Sequence, residues 1–215
     1  MTILPFVLFI GYLIGSVPSG YLIARILKGI DIRDYGSGNI GFANCLRVLG
    51  LLPGLLVLIS DIAKGVVSAW AGTLFASSIG ISPQIAGGML GLSSIIGHNW
   101  SVFLKFRGGK GVATTAGVFL ILTPFPFMFS ALTMALVIGL TRYVSLGSML
   151  AGGSLPIFIW LWVNEKGWFY LYLSVVAAFL IVFRHRSNLG RLLQGKERKL
   201  GEKITTTVTC QDQEM

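Results

Sequence analysis

The stretch LLPGLLVLISDIAKGVVSAWAGTLF, residues 51–75, runs for 25 residues with only two charges, Asp61 and Lys64. At about 1.5 Å per residue, a helix of that length exceeds the ~30 Å hydrocarbon core of a bilayer. The two charges stand at i and i+3 near its middle, one helical turn apart, so they can pair with each other. An intramembrane pair of this kind reads either as a structural ion pair or as part of a proton or ion path.

Comparable apolar runs recur at Ile3 to Ile26, Gln84 to Leu104, Val112 to Leu122, Phe125 to Leu140, Leu146 to Val163 and Trp168 to Phe183. Seven runs in 215 residues, with 54% hydrophobic and 12% charged residues and a mean hydropathy of +0.79, exclude a soluble domain, a disordered chain and a coiled coil. The predicted fold is an all-α integral membrane protein of seven transmembrane helices. The run Val112 to Leu122 is the weakest, about 17 Å as a helix, and Pro124 and Pro126 follow it, so a re-entrant segment is the alternative.

The basic residues arbitrate, because cytoplasmic loops carry the excess of Lys and Arg. With seven alternating spans, Arg25, Lys28, Arg33, Arg47, Lys105, Arg107, Lys110, Arg142, Arg184, Arg186, Arg191, Lys196, Arg198, Lys199 and Lys203 share one face. These are fifteen of the seventeen cations; Lys64 lies within a span and only Lys166 falls on the other face. The N-terminus is therefore expected outside and the C-terminus in the cytoplasm. The net charge of +9 is first a topology signal, not a nucleic-acid footprint. One membrane domain is expected over residues 1–204, with a polar, disordered tail over 205–215.

Cys45 and Cys210 form neither a disulfide framework nor a Cys-x-x-Cys motif, and both read as reduced thiols. The first apolar run lacks a basic n-region and a small-residue cleavage site, against a removable signal. Histidines and acids are too scarce and too scattered for a metal or cofactor site. Gly11-x-x-x-Gly15 and Gly87-x-x-x-Gly91 read as close helix packing.

Four polar stretches converge on the cytoplasmic face. In Gly36-Ser37-Gly38-Asn39-Ile40-Gly41-Phe42-Ala43-Asn44-Cys45-Leu46-Arg47, glycines free backbone amides to face an anion, and Ser37, Asn39, Asn44 and Arg47 can add side-chain bonds; a plain flexible turn is the alternative. Lys105-Phe106-Arg107-Gly108-Gly109-Lys110-Gly111, leading into a helix N-terminus, suits phosphate although it lacks the Walker spacing; as a positive-inside loop it needs no ligand. Arg142 to Ser148 is by itself an anchor and a cap. His185-Arg186-Ser187-Asn188, with Arg191, can line a site or touch anionic lipid.

Taken in order, Gly15-Ser16-Val17-Pro18-Ser19-Gly20-Tyr21, Gly-Ser-Gly-Asn-Ile-Gly, Asp61-x-x-Lys64-Gly65, Lys-Phe-Arg-Gly-Gly-Lys-Gly-Val-Ala-Thr, Arg-Tyr-Val-Ser-Leu-Gly-Ser and His-Arg-x-Asn make nearly the whole chain resemble the bacterial acyl-phosphate-dependent glycerol-3-phosphate acyltransferases, the PlsY family. The resemblance implies a multi-pass enzyme of the cytoplasmic (inner) membrane with its active site on the cytoplasmic face. It would pass a fatty acyl group from acyl phosphate to the 1-hydroxyl of sn-glycerol 3-phosphate, releasing lysophosphatidic acid and phosphate, with no cofactor, metal, nucleic acid or obligate protein partner. It implies Ser37, Arg47, Lys110 and His185 as catalytic, and Asn39, Gly108, Gly109, Gly111, Ser148 and Asn188 as substrate-binding.

The His-x-x-x-x-Asp pair of other glycerolipid acyltransferases is absent, since Phe103 and Gly190 stand where the aspartate would. Phe42, Ala43 and Ser101 depart from the family's usual small residue, threonine and proline. An activated acyl phosphate suits direct attack without an acyl-enzyme, the base being a substrate phosphate oxygen or His185. A membrane transporter of a phosphorylated or anionic solute is the competing class; its midplane ligands would have to be Asp61 and Lys64.

Overall fold

The computed structural model describes residues 3–162 and 167–202, so Lys166, Lys203, Cys210 and the expected tail over 205–215 lie outside the described residues. Within them the secondary structure is helical: α1 Ile3–Ser16, α2 Ser19–Lys28, α3 Phe42–Leu49, α4 Leu51–Leu74, α5 Ala76–Ile79, α6 Pro83–Asn99, α7 Val112–Leu122, α8 Pro124–Thr141, α9 Val144–Trp162, α10 Trp168–Arg184 and α11 Arg186–Leu193. Each of the seven apolar runs is largely helical over its described residues. Pro18 breaks the first into α1 and α2, and Pro83 at the start of α6 sits where its missing N–H costs nothing.

Four stretches are long and apolar enough to cross a bilayer: Ile3–Lys28, Leu51–Leu74, Pro124–Thr141 and Val144–Trp162. A fifth is the pair α10 and α11, bent by 58°. The other two runs are shorter helices, 17 residues in α6 and 11 in α7. Residues 36–47 read as an anion-binding loop or a flexible turn, but Phe42–Leu49 is helical, which puts Asn44 and Arg47 on a rigid element.

α1 packs on α6, α4 on both α6 and α7, α8 on α9, and α9 on α10. Glycine allows the closest of these approaches. A Cβ on Gly65 of α4 would lie 2.1 Å from the Thr114 carbonyl oxygen of α7, and one on Gly117 of α7 would lie 2.1 Å from that of Ile62. The two backbones therefore touch at a reciprocal pair of glycines.

The molecule is apolar outside and partly polar within. Ile26, Leu52, Leu140 and Tyr172 are exposed, while Ser68, Ser94, Asn99 and Thr114 are fully buried. That inversion suits lipid as the surrounding solvent. One apolar core joins Ala69, Ile95, Val118, Phe119, Leu155, Ile159, Leu173 and Ala177, and a second joins Ala24, Ile32, Ile40, Cys45, Val57 and Leu104 under the loop that precedes α3.

Candidate active site

A cavity of about 600 Å³ lies among α3, α4, the start of α7, α8, α9 and the turn from α10 into α11. Ser37, Asn39, Arg47, Lys110, Gly111, Ser148, His185 and Asn188 all line it, although they come from four separate stretches of sequence. Its other end is apolar, walled by Leu58, Ile62, Phe127, Met134, Leu155 and Ile181.

The α2–α3 loop is shaped from inside by Asn44, which is 2% exposed. Its Oδ1 accepts the Ser37 N–H at 2.8 Å, and its Nδ2 donates to the carbonyls of Asn39, Tyr35 and Ile32 at 2.9, 3.1 and 3.3 Å. A side chain so occupied shapes the loop and has no N–H left to donate to an anion. Asn39 Oδ1 accepts the Gly41 N–H at 2.8 Å, closing a second turn. The Ser37 hydroxyl and the Arg47 guanidinium are left without hydrogen-bond partners among the described residues and line the cavity.

The glycine loop divides in two. Gly108 and Gly109 do not line the cavity. The Gly109 N–H donates to the His98 carbonyl at 2.8 Å, and Arg184 donates from Nε to the Gly109 carbonyl and from Nη2 to the Gly108 carbonyl, both at 2.9 Å. A Cβ on Gly109 would lie 2.1 Å from His98 Nε2. These two glycines let His98 and Arg184 approach the backbone closely. What the clamped loop presents to the cavity is Lys110, then Gly111 at φ 77° as N-cap of α7, then Val112 and Ala113. The first amides of α7 have no acceptor within the helix and carry the positive end of its dipole. Beside Lys110 and Arg47 they make this part of the cavity electropositive.

Burial, with Arg191, Arg184 and Arg47 also nearby, lowers the Lys110 ammonium to about 8, against the opposing pull of Glu197. Lys110 Nζ donates to Asn188 Oδ1. His185 is 3% exposed, and its Nδ1 lies 2.8 Å from the Ile181 carbonyl, which makes Nδ1 the protonated nitrogen and leaves the Nε2 lone pair free. Burial and then Lys110 push His185 down to about 4, so it is neutral at pH 7. Ser148 lines the cavity but donates its hydroxyl to the Val144 carbonyl of its own helix at 2.8 Å. Cys45 is buried outside the cavity with its thiol pushed up to about 12 by burial, which makes it inert as a nucleophile.

Asp61 and Lys64 pair at 2.5 Å, as their spacing predicts, and His98 Nδ1 stands 3.7 Å from the same Asp61 oxygen. Asp61 and His98 also reach the cavity wall, which sequence reading did not anticipate; sequence separation hides their proximity. Thr115, Ser145 and Glu197 were missed too. For Glu197 a signal existed: it is the sole acid between Arg184 and Leu200. Ser101, where the family commonly has proline, donates its hydroxyl to the Ser16 carbonyl at 2.5 Å.

A family model described as glycerol-3-phosphate acyltransferase matches residues 5–195. Curated glycerol-3-phosphate acyltransferases of Shouchella clausii and Desulforamulus reducens are 46% and 44% identical over 196 and 194 residues, each match covering 90% of this chain and 94% of the relative. The fold is similar to the crystal structure of PlsY (YgiH), an integral membrane glycerol 3-phosphate acyltransferase, in its glycerol 3-phosphate form. That match has a TM-score of 0.82 and 38% identity, over 91% of this chain and 94% of the other. The lysophosphatidic acid form of the same protein matches with a TM-score of 0.79, also at 38% identity, over 90% and 93%.

Proposed function

The chain belongs to the glycerol-3-phosphate acyltransferase family, an integral membrane enzyme of that activity, and from this premise we propose that it draws its acyl group from acyl phosphate and transfers it directly, without an acyl-enzyme. The observation that carries the reading is a single cavity whose lining joins Arg47, Lys110 and the N-terminus of α7 to an apolar wall of Leu58, Ile62, Phe127, Met134, Leu155 and Ile181. Glycerol 3-phosphate and the phosphoryl end of the donor fit the first, and an acyl chain fits the second.

In this reaction the 1-hydroxyl oxygen of glycerol 3-phosphate attacks the acyl carbon. The bond from that carbon to the phosphoryl oxygen breaks, and its electron pair leaves on inorganic phosphate. Arg47, Lys110 and the α7 amides neutralise charge on the two phosphates and hold them in attack geometry. Ser37 and Asn39 offer hydrogen bonds on the side of the α2–α3 loop, Gly111 gives the backbone room at the mouth of α7, and Ser148 and Asn188 bound the opposite wall. The hydroxyl proton passes to a substrate phosphate oxygen or to His185 Nε2, whose free lone pair can accept the hydrogen bond of the hydroxyl.

The one-sided distribution of cations supports seven spans with the N-terminus outside and this cavity facing the cytoplasm, within a single domain over residues 1–204. Among the described residues, the pairing of Lys64 with Asp61 leaves a transported anion no free cation at mid-membrane. The test is phosphate release from acyl phosphate by purified protein with and without glycerol 3-phosphate. Release that depends on glycerol 3-phosphate is expected. A covalent acyl-protein on Ser37 or Cys45 during turnover would overturn direct transfer.

A further inference from the structure

Beyond α11 the chain turns back on itself at Gly195, where φ is 65°, and the Lys196 N–H donates to the Arg191 carbonyl at 2.8 Å. Further along, the Leu200 N–H donates to the Arg142 carbonyl and Arg142 Nη2 donates to the Leu200 carbonyl, both at 2.7 Å. Between these two pins Glu197 points into the cavity wall with a side chain 7% exposed, two residues past the last residue matched by the family model. Its Oε1 accepts from Asn188 Nδ2 at 2.6 Å and from Ser145 Oγ at 2.8 Å, and its Oε2 accepts from Arg191 Nε at 2.7 Å. Burial alone would raise this carboxyl, but the hydrogen bonds from Asn188, Ser145 and Arg191 outweigh it and hold the group below its ordinary value.

Asn188 stands between a carboxylate and an ammonium, and its amide has one donor end and one acceptor end. Only one orientation serves both: Nδ2 toward Glu197 and Oδ1 toward Lys110. The reverse would set NH₂ against the ammonium and a carbonyl oxygen against the carboxylate. The geometry points to Glu197 as a positioning residue that locks the Asn188 amide, so that its Oδ1 holds the Lys110 ammonium at the phosphate end of the cavity. The inference rests on the proposed role of Lys110, and it makes the segment after α11 part of the site. A mere tether for that segment would need only Ser145 and Arg191; the bond from Asn188, whose other end holds Lys110, reaches further into the site.

The experiment uses the full chain purified in detergent and reads glycerol-3-phosphate-dependent release of phosphate from acyl phosphate. Glu197→Ala is expected to lower kcat/KM about tenfold to a hundredfold, the scale of a displaced catalytic group, with wild-type elution and unfolding temperature. In an Asn188→Ala background the same change is expected to cost nothing further, because both act through one amide. Glu197→Gln keeps an acceptor for Asn188 at the same reach, whereas Glu197→Asp keeps the charge but withdraws it by one methylene. The order of activity is therefore Gln above Asp, which also keeps the inference testable if the alanine variant does not fold. Independent losses in the double variant, wild-type activity of Glu197→Ala, or Asp above Gln would overturn the role of Glu197. Wild-type protein that releases no phosphate in response to glycerol 3-phosphate would instead sink the proposed donor, a separate failure.

Discussion

Lys110 shows how far surroundings can move one charge. Burial holds its ammonium down to about 8 in the free protein, so the proposed phosphate site loses a cation as pH rises through that value. The alkaline limb of kcat/KM is accordingly expected near pH 8, because that quantity reports the free enzyme. Lys110→Arg, whose guanidinium stays charged, should push the limb upward, and an unmoved limb would assign it to another group. Lys110→Ala should cost on the order of a hundredfold or more in kcat/KM, the usual scale for a donor aimed at developing charge. For His185, proposed as a hydrogen-bond acceptor with its lone pair free, His185→Ala should lower kcat more than it raises KM for glycerol 3-phosphate; steady-state kinetics at saturating donor separate the two. Sequence alone made Lys110 and His185 visible because charge and imidazole are conspicuous in a greasy chain. For Gly108 and Gly109 it says less, because a glycine records close approach of something to the backbone without saying what: here the protein neighbours are His98 and Arg184.

Elements were legible in proportion to how apolar they are. The run Val112 to Leu122 is α7 residue for residue, and the other long runs match their helices to within a few positions. α3 was not foreseen because its eight residues sit among glycines and its amphipathic face is too short to show a period; what fixes it is the packing of Cys45 and Asn44 onto the loop beneath. The glycine pairs read as packing devices do pack, and the α4–α7 contact gives the sharpest test. Gly117→Val should destabilise the protein by about 1–3 kcal/mol, since its Cβ would press on the Ile62 carbonyl at 2.1 Å. Gly153→Ala, where a Cβ meets nothing within 4 Å, should leave the midpoint of thermal unfolding in detergent close to that of the parent. Because α7 also carries the anion site at its N-terminus, Gly117→Val should lower activity as well, through a tilt of the helix and not through any contact with substrate.

At the scale of the molecule, the proposed orientation has to reconcile α7 with the bilayer. Eleven residues span only about 17 Å, roughly half the hydrocarbon thickness. Yet α8 begins at Pro124, directly after Thr123, and Thr123 is 5% exposed. The break between the helices is thus buried at Thr123, while Phe125 beyond it is 58% exposed, so only the break itself meets the condition under which irregular backbone is tolerated at membrane depth. If the chain nevertheless crosses there, Lys105 and Arg142, at the two ends of α7 and α8, share the cytoplasmic face, and the Ser77 and Gly80 region lies opposite. If α7 instead re-enters from the side it left, Arg142 moves to the outer face and every basic residue of α11 moves with it, against the bias that sets topology. Single cysteines in a Cys45→Ser, Cys210→Ser background decide between them: a membrane-impermeant maleimide added to intact cells should label Ser77→Cys but not Lys105→Cys or Arg142→Cys, both of which label only after permeabilisation. Labelling of Arg142→Cys in intact cells would reverse the last three helices and place His185 and Asn188 on the far side of the membrane from Lys105, an arrangement that the bond between Lys110 and Asn188 does not allow.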